Sequence, residues 1–436
     1  MEREVSHQLT AWKNAKNRKP LVLMGARQVG KTTSLQHFGA SQYDNIVYLN
    51  FEDSPHLKQL FAAALNPYSI IQALEIETHQ KIIAGKTLMI FDEVQECPAA
   101  LNSLKYFNED ANQYHLCAAG SLLGVKLTHQ KGFPVGKVNF LDMHPLCFCE
   151  FLDAIGEANL KKYIESLDSI QPLAGNLHEK LLNYLWLYLY IGGMPEAVAE
   201  YAADRDLSKV REIQLEILRA YALDFSKHAP NNQIMKINQV WSNIPNQLAK
   251  ENKKFIYSVI RKGARAKEFE VALQWLDEAG LIHKVYNISA PKIPLKAYAN
   301  FEFFKVYLVD VGLLGAMTNL SAKIVLQGNK FFQEFRGSFV ENYVAQELAR
   351  CHKELYYWSS EGKAEVDFVF QHEGVNFPLE VKSGKATKKK SLKIYADKYS
   401  PDLLIRASTM NLKQDDHFLN CPLYLLSKLQ KFLDSR

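Results

Sequence analysis

The sequence predicts an α/β protein whose N-terminal part is built on a parallel sheet. Short apolar runs alternate with helical patterns over the first 145 residues, which is typical of buried parallel strands covered by helices on both faces. The chain has 436 residues, and at roughly 100–200 residues per domain this favours several domains. Hydrophobic residues make up 47% and charged residues 23%, so disordered and fibrous classes are excluded.

The elements of the first predicted domain, residues 1–145, follow from local patterns. Strands are predicted at Leu21–Met24, Ile46–Phe51, Leu88–Phe91, His115–Ala119 and Val138–Leu141, and helices at Thr32–Phe38, Pro67–Ile83 and Ala99–Asn112.

Three further domains are predicted after it. Residues 146–228 are rich in Leu and Tyr and predict a helical domain, in which a buried helix ends at Gly192-Gly193. Residues 229–325 contain helix-sized segments closed by Gly280 and then an extended run, a layout typical of a winged helix. Residues 326–436 predict a small α/β domain, with elements at Ser338–Ala349 (helix), Ala364–Gln371, Val375–Lys382 and Asp402–Ala407 (strands).

Charge and targeting signals predict a cytoplasmic protein. The net charge of +5 permits a polyanionic partner but does not require one. None of the six cysteines forms a CxxC pair, and the charged N-terminus lacks the apolar core of a signal peptide. The longest apolar stretch, Leu181–Ile191, is too short to span a bilayer, so no membrane partner is expected.

A phosphate-binding motif follows the first predicted strand. The motif GxxxxGK[ST] is matched by Gly25, Ala26, Arg27, Gln28, Val29, Gly30, Lys31 and Thr32, and the site extends to Thr33. Glycines let consecutive backbone N–H groups point at a phosphate, and the N-terminus of the following helix adds positive partial charge. Lys31 supplies a full charge and the Thr32 hydroxyl can coordinate Mg²⁺, so ATP and Mg²⁺ are the predicted cofactors. Arg27 could contact phosphate or make a structural ion pair.

Two further strand ends complete the predicted ATP site. The apolar strand before Asp92 places this carboxylate in the Mg²⁺ shell, and Glu93 is placed to act as general base on the attacking water. The alternative is that these carboxylates cap a helix. Ser121 follows the next strand, where a small polar side chain can contact the attacking water and the γ-phosphate.

A second group of charged residues lies near the C-terminus. It comprises Glu341 on a helix, Asp367 on a strand, and Glu380 and Lys382 on the next strand. Carboxylates on neighbouring strands can share Mg²⁺ or Mn²⁺, so Asp367 and Glu380 are candidate metal ligands, with Lys382 able to activate water for attack on a phosphodiester. The alternative is a half-exposed sheet with ordinary surface charges.

Two basic segments favour nucleic acid as a partner. Residues 382–398 hold seven lysines against one acid, and residues 250–267 hold seven basic residues against one acid. Solvated surface charge is the simpler interpretation of the first segment, and contact with phosphates is the alternative.

The ordered motifs resemble a prokaryotic family of AAA-like P-loop ATPases that carry a C-terminal domain of unknown function. The resemblance rests on LVLMGARQVGKTT, TLMIFDEVQECP, HLCAAGSLLGV, YLYIGGMPEAV, RGSFVENYVAQEL, KAEVDFVF and PLEVKSG. It implies a P-loop ATPase core, a helical lid, a winged helix and a C-terminal domain like a restriction endonuclease. Glu341, Asp367, Glu380 and Lys382 match the PD-(D/E)xK nuclease pattern, except that no proline precedes Asp367.

Two functional hypotheses follow from the residues and the resemblance. The first is an Mg²⁺-dependent ATPase coupled to DNA binding and metal-dependent cleavage by the C-terminal domain. The second is an ATP-switched regulator that binds DNA or protein and has a catalytically silent nuclease fold. The sequence leaves open DNA versus RNA, the oligomeric state, and which arginine could complete a neighbour's ATP site; the candidates are Arg205, Arg211, Arg219 and Arg336.

Overall fold

The chain folds as two units. The computed structural model describes residues 3–63, 65–125, 136–250, 253–327, 333–352, 354–360, 364–384 and 390–434. The first unit comprises residues 1–144 with 278–280, and the second comprises 145–277 with 281–436.

The first unit contains the predicted parallel sheet. Its strands are β1 (Leu21–Met24), β2 (Asn45–Asn50), β3 (Thr87–Asp92), β4 (His115–Ala119) and β5 (Asn139–Asp142). They pair in the order β2-β3-β4-β1-β5, with parallel neighbours throughout. Helices lie at Glu4–Asn14, Lys31–Gln42, Pro55–Ala63, Pro67–Thr78 and Pro98–Asp110. The parallel α/β architecture predicted for this part of the chain is confirmed.

Aromatic packing holds one face of this sheet. Phe91 on β3 makes edge-to-face contacts with Phe51, Phe61 and Phe107, at ring-centroid distances of 5.7, 5.3 and 6.4 Å. All four rings are fully buried. Such pairs add to the free energy gained by burying the rings. They therefore hold β3 in place, and with it Asp92 at the end of the strand and Glu93 directly after it.

The second unit begins with helices. They lie at Phe148–Ala154, Ala158–Ser166, Gly175–Ile191, Pro195–Asp204, Leu207–His228, Ile234–Leu248, Tyr257–Ile260, Ala266–Glu278, Val311–Met317, Ala322–Gln327, Gln333–Ala349, Lys390–Tyr399 and Leu429–Asp434. The helix predicted to stop at Gly192 ends at Ile191, because Gly192 takes a φ of 77°. None of the helices in the described ranges combines the length and apolarity needed to cross a membrane.

One mixed sheet runs through this unit. Its strands are β6 (Ile282–Ile288), β7 (Ala299–Leu308), β8 (Leu355–Ser360), β9 (Ala364–His372), β10 (Val375–Lys382), β11 (Leu404–Ser408), β12 (Lys413–Asp415) and β13 (Phe418–Pro422). The order is β12-β13-β11-β10-β9-β8-β6-β7. The β6–β7 hairpin, predicted as the wing of a winged helix, therefore shares a sheet with strands of the predicted C-terminal domain. The winged helix and the predicted domain bounds stay predictions.

A buried carboxylate joins three segments of the second unit. Asp310 is fully buried, and its carboxylate accepts hydrogen bonds from the backbone N–H of Gly193 at 2.6 Å and of Leu313 at 2.9 Å. A side chain at Gly192 would place its Cβ 2.2 Å from Asp310 Oδ1. Burial raises the pKa of Asp310 to about 6. The carboxylate thus caps the helix Val311–Met317 and ties it to the end of the helix Gly175–Ile191.

Replacing this carboxylate is expected to destabilise the second unit. Asp310→Ala leaves two buried N–H groups without acceptors, and at about 1–3 kcal/mol for each group the free energy of unfolding should fall by about 2–6 kcal/mol. Urea unfolding measures the change. Asp206→Ala is the matched control, since Asp206 caps the helix Leu207–His228 at a half-exposed site and should matter less. Equal losses in the two variants would contradict the prediction.

Candidate functional site

The motif after β1 folds into a loop with left-handed backbone. Gly25, Gln28 and Gly30 have φ values of 142°, 65° and 94°, and the helix Lys31–Gln42 begins directly after the loop. At Gly25 a Cβ would lie 2.2 Å from the carbonyl oxygen of Met143, so this position requires glycine. The loop and the helix N-terminus together form the kind of backbone nest that binds anions.

Lys31 is folded into this loop. It is 7% exposed, and its Nζ donates to the carbonyl oxygens of Gly25 and Ala26, both at 2.8 Å. Burial lowers the pKa of Lys31 to about 8, although the charges of Glu93 and Asp92 oppose the shift. A phosphate bound in the loop would supply the negative charge that this buried ammonium lacks.

Thr32 and Asp92 meet at the edge of the sheet. Thr32 Oγ1 donates to Asp92 Oδ2 at 2.6 Å, and the hydroxyl of Tyr48 donates to the same oxygen at 2.9 Å. Asp92 is 3% exposed, and its other oxygen accepts from the backbone N–H of Glu93 at 3.0 Å. A hydroxyl and a carboxylate at one point are hard oxygen donors of the kind Mg²⁺ prefers, so these residues fit the predicted metal.

Glu93 and Ser121 lie at the same edge, since β3 and β4 are parallel neighbours. Glu93 is half-buried and has a φ of 48°, a left-handed conformation that is uncommon for a residue with a side chain. Its carboxylate accepts a hydrogen bond from Gln95 Nε2. Ser121 is 7% exposed and follows Gly120, where a Cβ would lie 2.0 Å from Gln95 Oε1. Gly120 thus leaves room for the side chain that orients Glu93.

The remaining loop residues differ in exposure. Ala26 and Val29 are buried, whereas Gln28 and Thr33 are exposed. Arg27 is half-exposed, and its charge helps to lower the pKa of Lys31. Both interpretations of Arg27, phosphate contact and structural ion pair, stay open.

Glu341 and Asp367 form one cluster in the second unit. Glu341 accepts hydrogen bonds from Lys253 Nζ and, at 3.1 Å, from the hydroxyl of Tyr307. Burial acts to raise the pKa of Glu341, but Lys253 and Lys305 outweigh it and the pKa is lowered. Burial first, and then the charge of Glu341, raise the pKa of Asp367 to about 7. The structure therefore brings two of the predicted site residues together.

Glu380 and Lys382 form another group. Lys382 Nζ lies 2.9 Å from Glu380 Oε1, while Glu380 Oε2 is buried and has no hydrogen-bond partner among the described residues. In the parallel pairing of β10 with β11, Glu380 lies beside Arg406. Asp367 contacts β10, because its Oδ2 accepts a hydrogen bond from the backbone N–H of Val381 at 2.8 Å. Within the ranges that the structure describes, no group of three or more His, Cys, Asp or Glu is arranged to hold a metal, and a metal shared by Asp367 and Glu380 stays a prediction.

The candidate arginines differ in their surroundings. Arg205 donates to the carbonyl oxygen of Ile155 at 2.6 Å, and Arg211 donates to that of Leu320 at 2.9 Å. The guanidinium of Arg336 stacks over Trp186, 4.1 Å from the ring centroid. Arg219 is exposed. The first three contact groups of their own unit, and the question of which arginine could complete a neighbour's ATP site stays open.

Comparison with known families finds a match for the N-terminal part of the chain. The family described as AAA domain matches residues 17–152, which contain the loop, Asp92, Glu93 and Ser121. This segment therefore resembles AAA-type P-loop ATPase domains. Two domains of unknown function match residues 182–324 (DUF8612) and 336–426 (DUF4143). These matches do not establish a winged helix or a restriction-endonuclease-like fold.

Several solved structures are similar to the chain at low identity. The Walker-type ATPase of Pyrococcus abyssi is 14% identical, with 73% of this chain and 95% of that chain covered and a TM-score of 0.44. The ORC1 protein of Aeropyrum pernix in complex with DNA is 13% identical over 73% and 91%, with a TM-score of 0.29. Cdc6p from Pyrobaculum aerophilum is 12% identical over 74% and 93%, with a TM-score of 0.25. None of the curated proteins matches the sequence.

Sequence reasoning missed four side chains at these sites. Tyr48 and Gln95 contact Asp92 and Glu93, and Lys253 and Lys305 surround Glu341. Gln95 lies two residues after Glu93, and this short spacing is the sequence signal that could have indicated their contact. The two lysines are separated from Glu341 by long stretches of sequence, and no local pattern links them to it.

Proposed function

We propose that the chain binds Mg²⁺–ATP at the loop 25–33 and hydrolyses it. The observation that carries this proposal is the 2.6 Å contact between Thr32 Oγ1 and Asp92 Oδ2, because it brings together the hydroxyl and the carboxylate that would hold Mg²⁺. Bound Mg²⁺ would neutralise charge that develops on the phosphates.

Each group of residues at the site has its own role in hydrolysis. The loop amides, the N-terminus of the helix Lys31–Gln42 and Lys31 itself hold the phosphates and bring the γ-phosphate to the edge of the sheet. Glu93 takes a proton from the attacking water, and Gln95 fixes the orientation of its carboxylate. Ser121 contacts the water or the γ-phosphate from the end of β4. Positioning and electrostatics thus supply the catalysis.

Removing the Thr32 hydroxyl is expected to weaken the response to Mg²⁺. Thr32→Val keeps the side-chain shape but loses one ligand, so ATP turnover should fall on the order of 10–100-fold at fixed Mg²⁺ and recover in part at high Mg²⁺. Phosphate release measured across a Mg²⁺ titration checks this. Ser41→Ala on the same helix is the control, since the exposed Ser41 donates a hydrogen bond to the carbonyl oxygen of Phe38 in the last turn of that helix. A Thr32→Val profile equal to that of the control would refute the assignment.

We further propose that DNA is the partner of the second unit and that ATP state and DNA engagement are coupled. Exposed basic side chains support this partner. They are Arg261, Lys262, Arg265 and Lys267 before β6, and Lys390, Lys393 and Lys398 on the helix Lys390–Tyr399. On that helix Leu392 and Tyr395 are buried, whereas Lys390, Lys393 and Lys398 are exposed to solvent. Phosphate contacts by such side chains would make binding salt-dependent.

Metal-dependent cleavage at Glu341, Asp367, Glu380 and Lys382 is the first candidate activity of this unit. The partnerless Glu380 Oε2 supports it, since a buried carboxylate oxygen without a donor suits a metal ligand. The charge of Glu341 that acts on Asp367 also supports it, because a divalent cation would relieve the repulsion between the buried Glu341 carboxylate and the half-buried Asp367 carboxylate.

A silent nuclease fold in an ATP-switched binding protein is the second candidate. The ammonium groups of Lys253 and Lys305 support it, because they already supply positive charge beside Glu341. Nicking of supercoiled plasmid by the full chain with Mg²⁺ or Mn²⁺ separates the two candidates. Nicking favours the first, whereas ATP hydrolysis without nicking favours the second.

A further inference from the structure

A pocket lies at the β12-β13-β11 end of the mixed sheet. It has a volume of about 250 Å³ and is lined by Pro172, Arg406, Met410, Asn411, Leu412, Lys413, Asp415, Phe418 and Asn420. Asn411 exchanges hydrogen bonds with the backbone of Leu173, at 3.0 and 2.7 Å. Asn420 Nδ2 donates to the carbonyl oxygens of Met410 and Asn411, at 3.1 and 2.9 Å. These bonds fix the walls, so the pocket exists before any ligand enters.

Arg406 supplies the unusual feature of this pocket. It is 4% exposed and lies over Phe418, with its guanidinium 5.0 Å from the ring centroid. Its Nε donates to Asn420 Oδ1 at 2.9 Å, and its Nη2 contacts Met410 Sδ at 3.5 Å. Its Nη1 is buried without a hydrogen-bond partner among the described residues. The acceptors of this charged group are therefore a neutral amide and a weakly accepting sulfur.

A buried guanidinium in such surroundings is costly. A charge removed from water needs an ionic partner and satisfied hydrogen bonds, or it opposes folding. Glu380 lies in register on the neighbouring strand, and its charge acts on Arg406, but Glu380 Oε1 is bonded to Lys382. An oxyanion in the pocket would accept a hydrogen bond from Arg406 Nη1 and place a negative charge in direct contact with the guanidinium.

We propose that this pocket is a binding site for a small oxyanion, a phosphate or a carboxylate, with Arg406 as its main contact. Lys413 at the exposed rim adds a second positive charge. Its Nζ also forms an ion pair with Asp415 Oδ2, at 2.8 Å. The volume is below the roughly 300–1,000 Å³ usual for drug-sized ligands, so the site suits a small anion and is too small for a nucleotide. It belongs to the second unit and is separate from the phosphate loop of the first.

The test uses the full chain carrying Lys31→Ala, so that phosphate binding at the loop 25–33 is weakened. Inorganic phosphate and acetate are titrated in parallel by calorimetry at constant ionic strength. Saturable binding of at least one anion is expected, and loss of a charge-assisted hydrogen bond should weaken it about tenfold or more when Arg406→Met is added. Phosphate binding alone identifies a phosphate site, and acetate binding alone identifies a carboxylate site.

Two further variants keep the test decisive if Arg406→Met folds poorly. Arg406→Lys retains the charge but loses the planar fork, and should also weaken binding. Lys413→Gln changes an exposed rim residue that folding does not require, and should weaken binding a few-fold. No saturable binding of either anion would overturn the proposal, since a bridging water would then satisfy Arg406 Nη1. Binding that is unchanged by both Arg406→Lys and Lys413→Gln would overturn it as well.

Discussion

Glu93→Gln is expected to retain ATP binding and to lower ATP turnover by about 10²–10⁴-fold, the range that a positioned general base contributes. The amide cannot accept the proton of the attacking water. Its carbonyl oxygen can still accept the hydrogen bond from Gln95 Nε2, so the local structure should persist. The left-handed backbone at this position is equally available to both side chains. The variant therefore separates the hydrolysis step from ATP binding.

Two measurements on each variant check this expectation. Titration with a fluorescent ATP analogue gives the affinity, and phosphate release at saturating Mg²⁺–ATP gives the turnover. Glu52→Gln is the matched control, because Glu52 is an exposed acid in the loop after β2 and its backbone N–H bonds to Asn50. Turnover by Glu93→Gln at the rate of Glu52→Gln would remove Glu93 from the role of base.

The ATPase domain was predictable because its signals are local. A buried parallel strand is a short apolar run, and the phosphate loop requires glycines at fixed spacing, so β1 and the loop after it follow from adjacent residues. The helix after Asn66 ends at Thr78, before the predicted Ile83, because His79 turns left-handed. The hydrogen bond from Tyr48 to Asp92 could not be predicted, since it depends on how β2 pairs with β3.

The second unit was less predictable because its decisive contacts span long separations. The hairpin β6–β7 looks self-sufficient in the sequence, yet β6 pairs with β8, more than 60 residues later. Lys253 and Glu341 are 88 residues apart and form a partly buried ion pair. Sequence spacing identified the carboxylates at 341, 367 and 380, but only the tertiary fold shows that Asp367 is coupled to Glu341 and that Glu380 lies beside Arg406.

Burial of Asp367 and the nearby charge of Glu341 should make stability depend on pH, and this dependence can be measured without metal. The Asp367 pKa is raised to about 7 from an ordinary value near 4, so the unfolded chain loses this proton at lower pH than the folded one. The free energy of unfolding should therefore fall as pH rises from about 4 to about 7. Asp367→Asn removes the charge and keeps an acceptor for the Val381 N–H. This variant should gain stability relative to the wild type at pH 8, and less at pH 5.

The same substitution decides whether the second unit cleaves nucleic acid. If Asp367 binds a catalytic metal, Asp367→Asn should reduce plasmid nicking to background, a loss of at least about 100-fold, because an amide does not replace a charged ligand. Wild-type nicking should rise as pH increases through about 7, since the protonated acid binds metal poorly. Asp397→Asn, on the exposed face of the helix Lys390–Tyr399, is the control and should nick normally.

Stability and nicking in Asp367→Asn together separate the two hypotheses for this unit. A variant that is more stable at pH 8 but loses nicking places Asp367 in a metal-dependent active site, where a charge unfavourable to folding is retained for catalysis. If the wild type nicks no DNA with either metal and the variant is still the more stable protein at pH 8, the ATP-switched binding protein is favoured. In that protein Lys253 and Lys305 would serve as permanent counter-charges for Glu341. Nicking that persists in Asp367→Asn would place any cleavage elsewhere and exclude Asp367 from it.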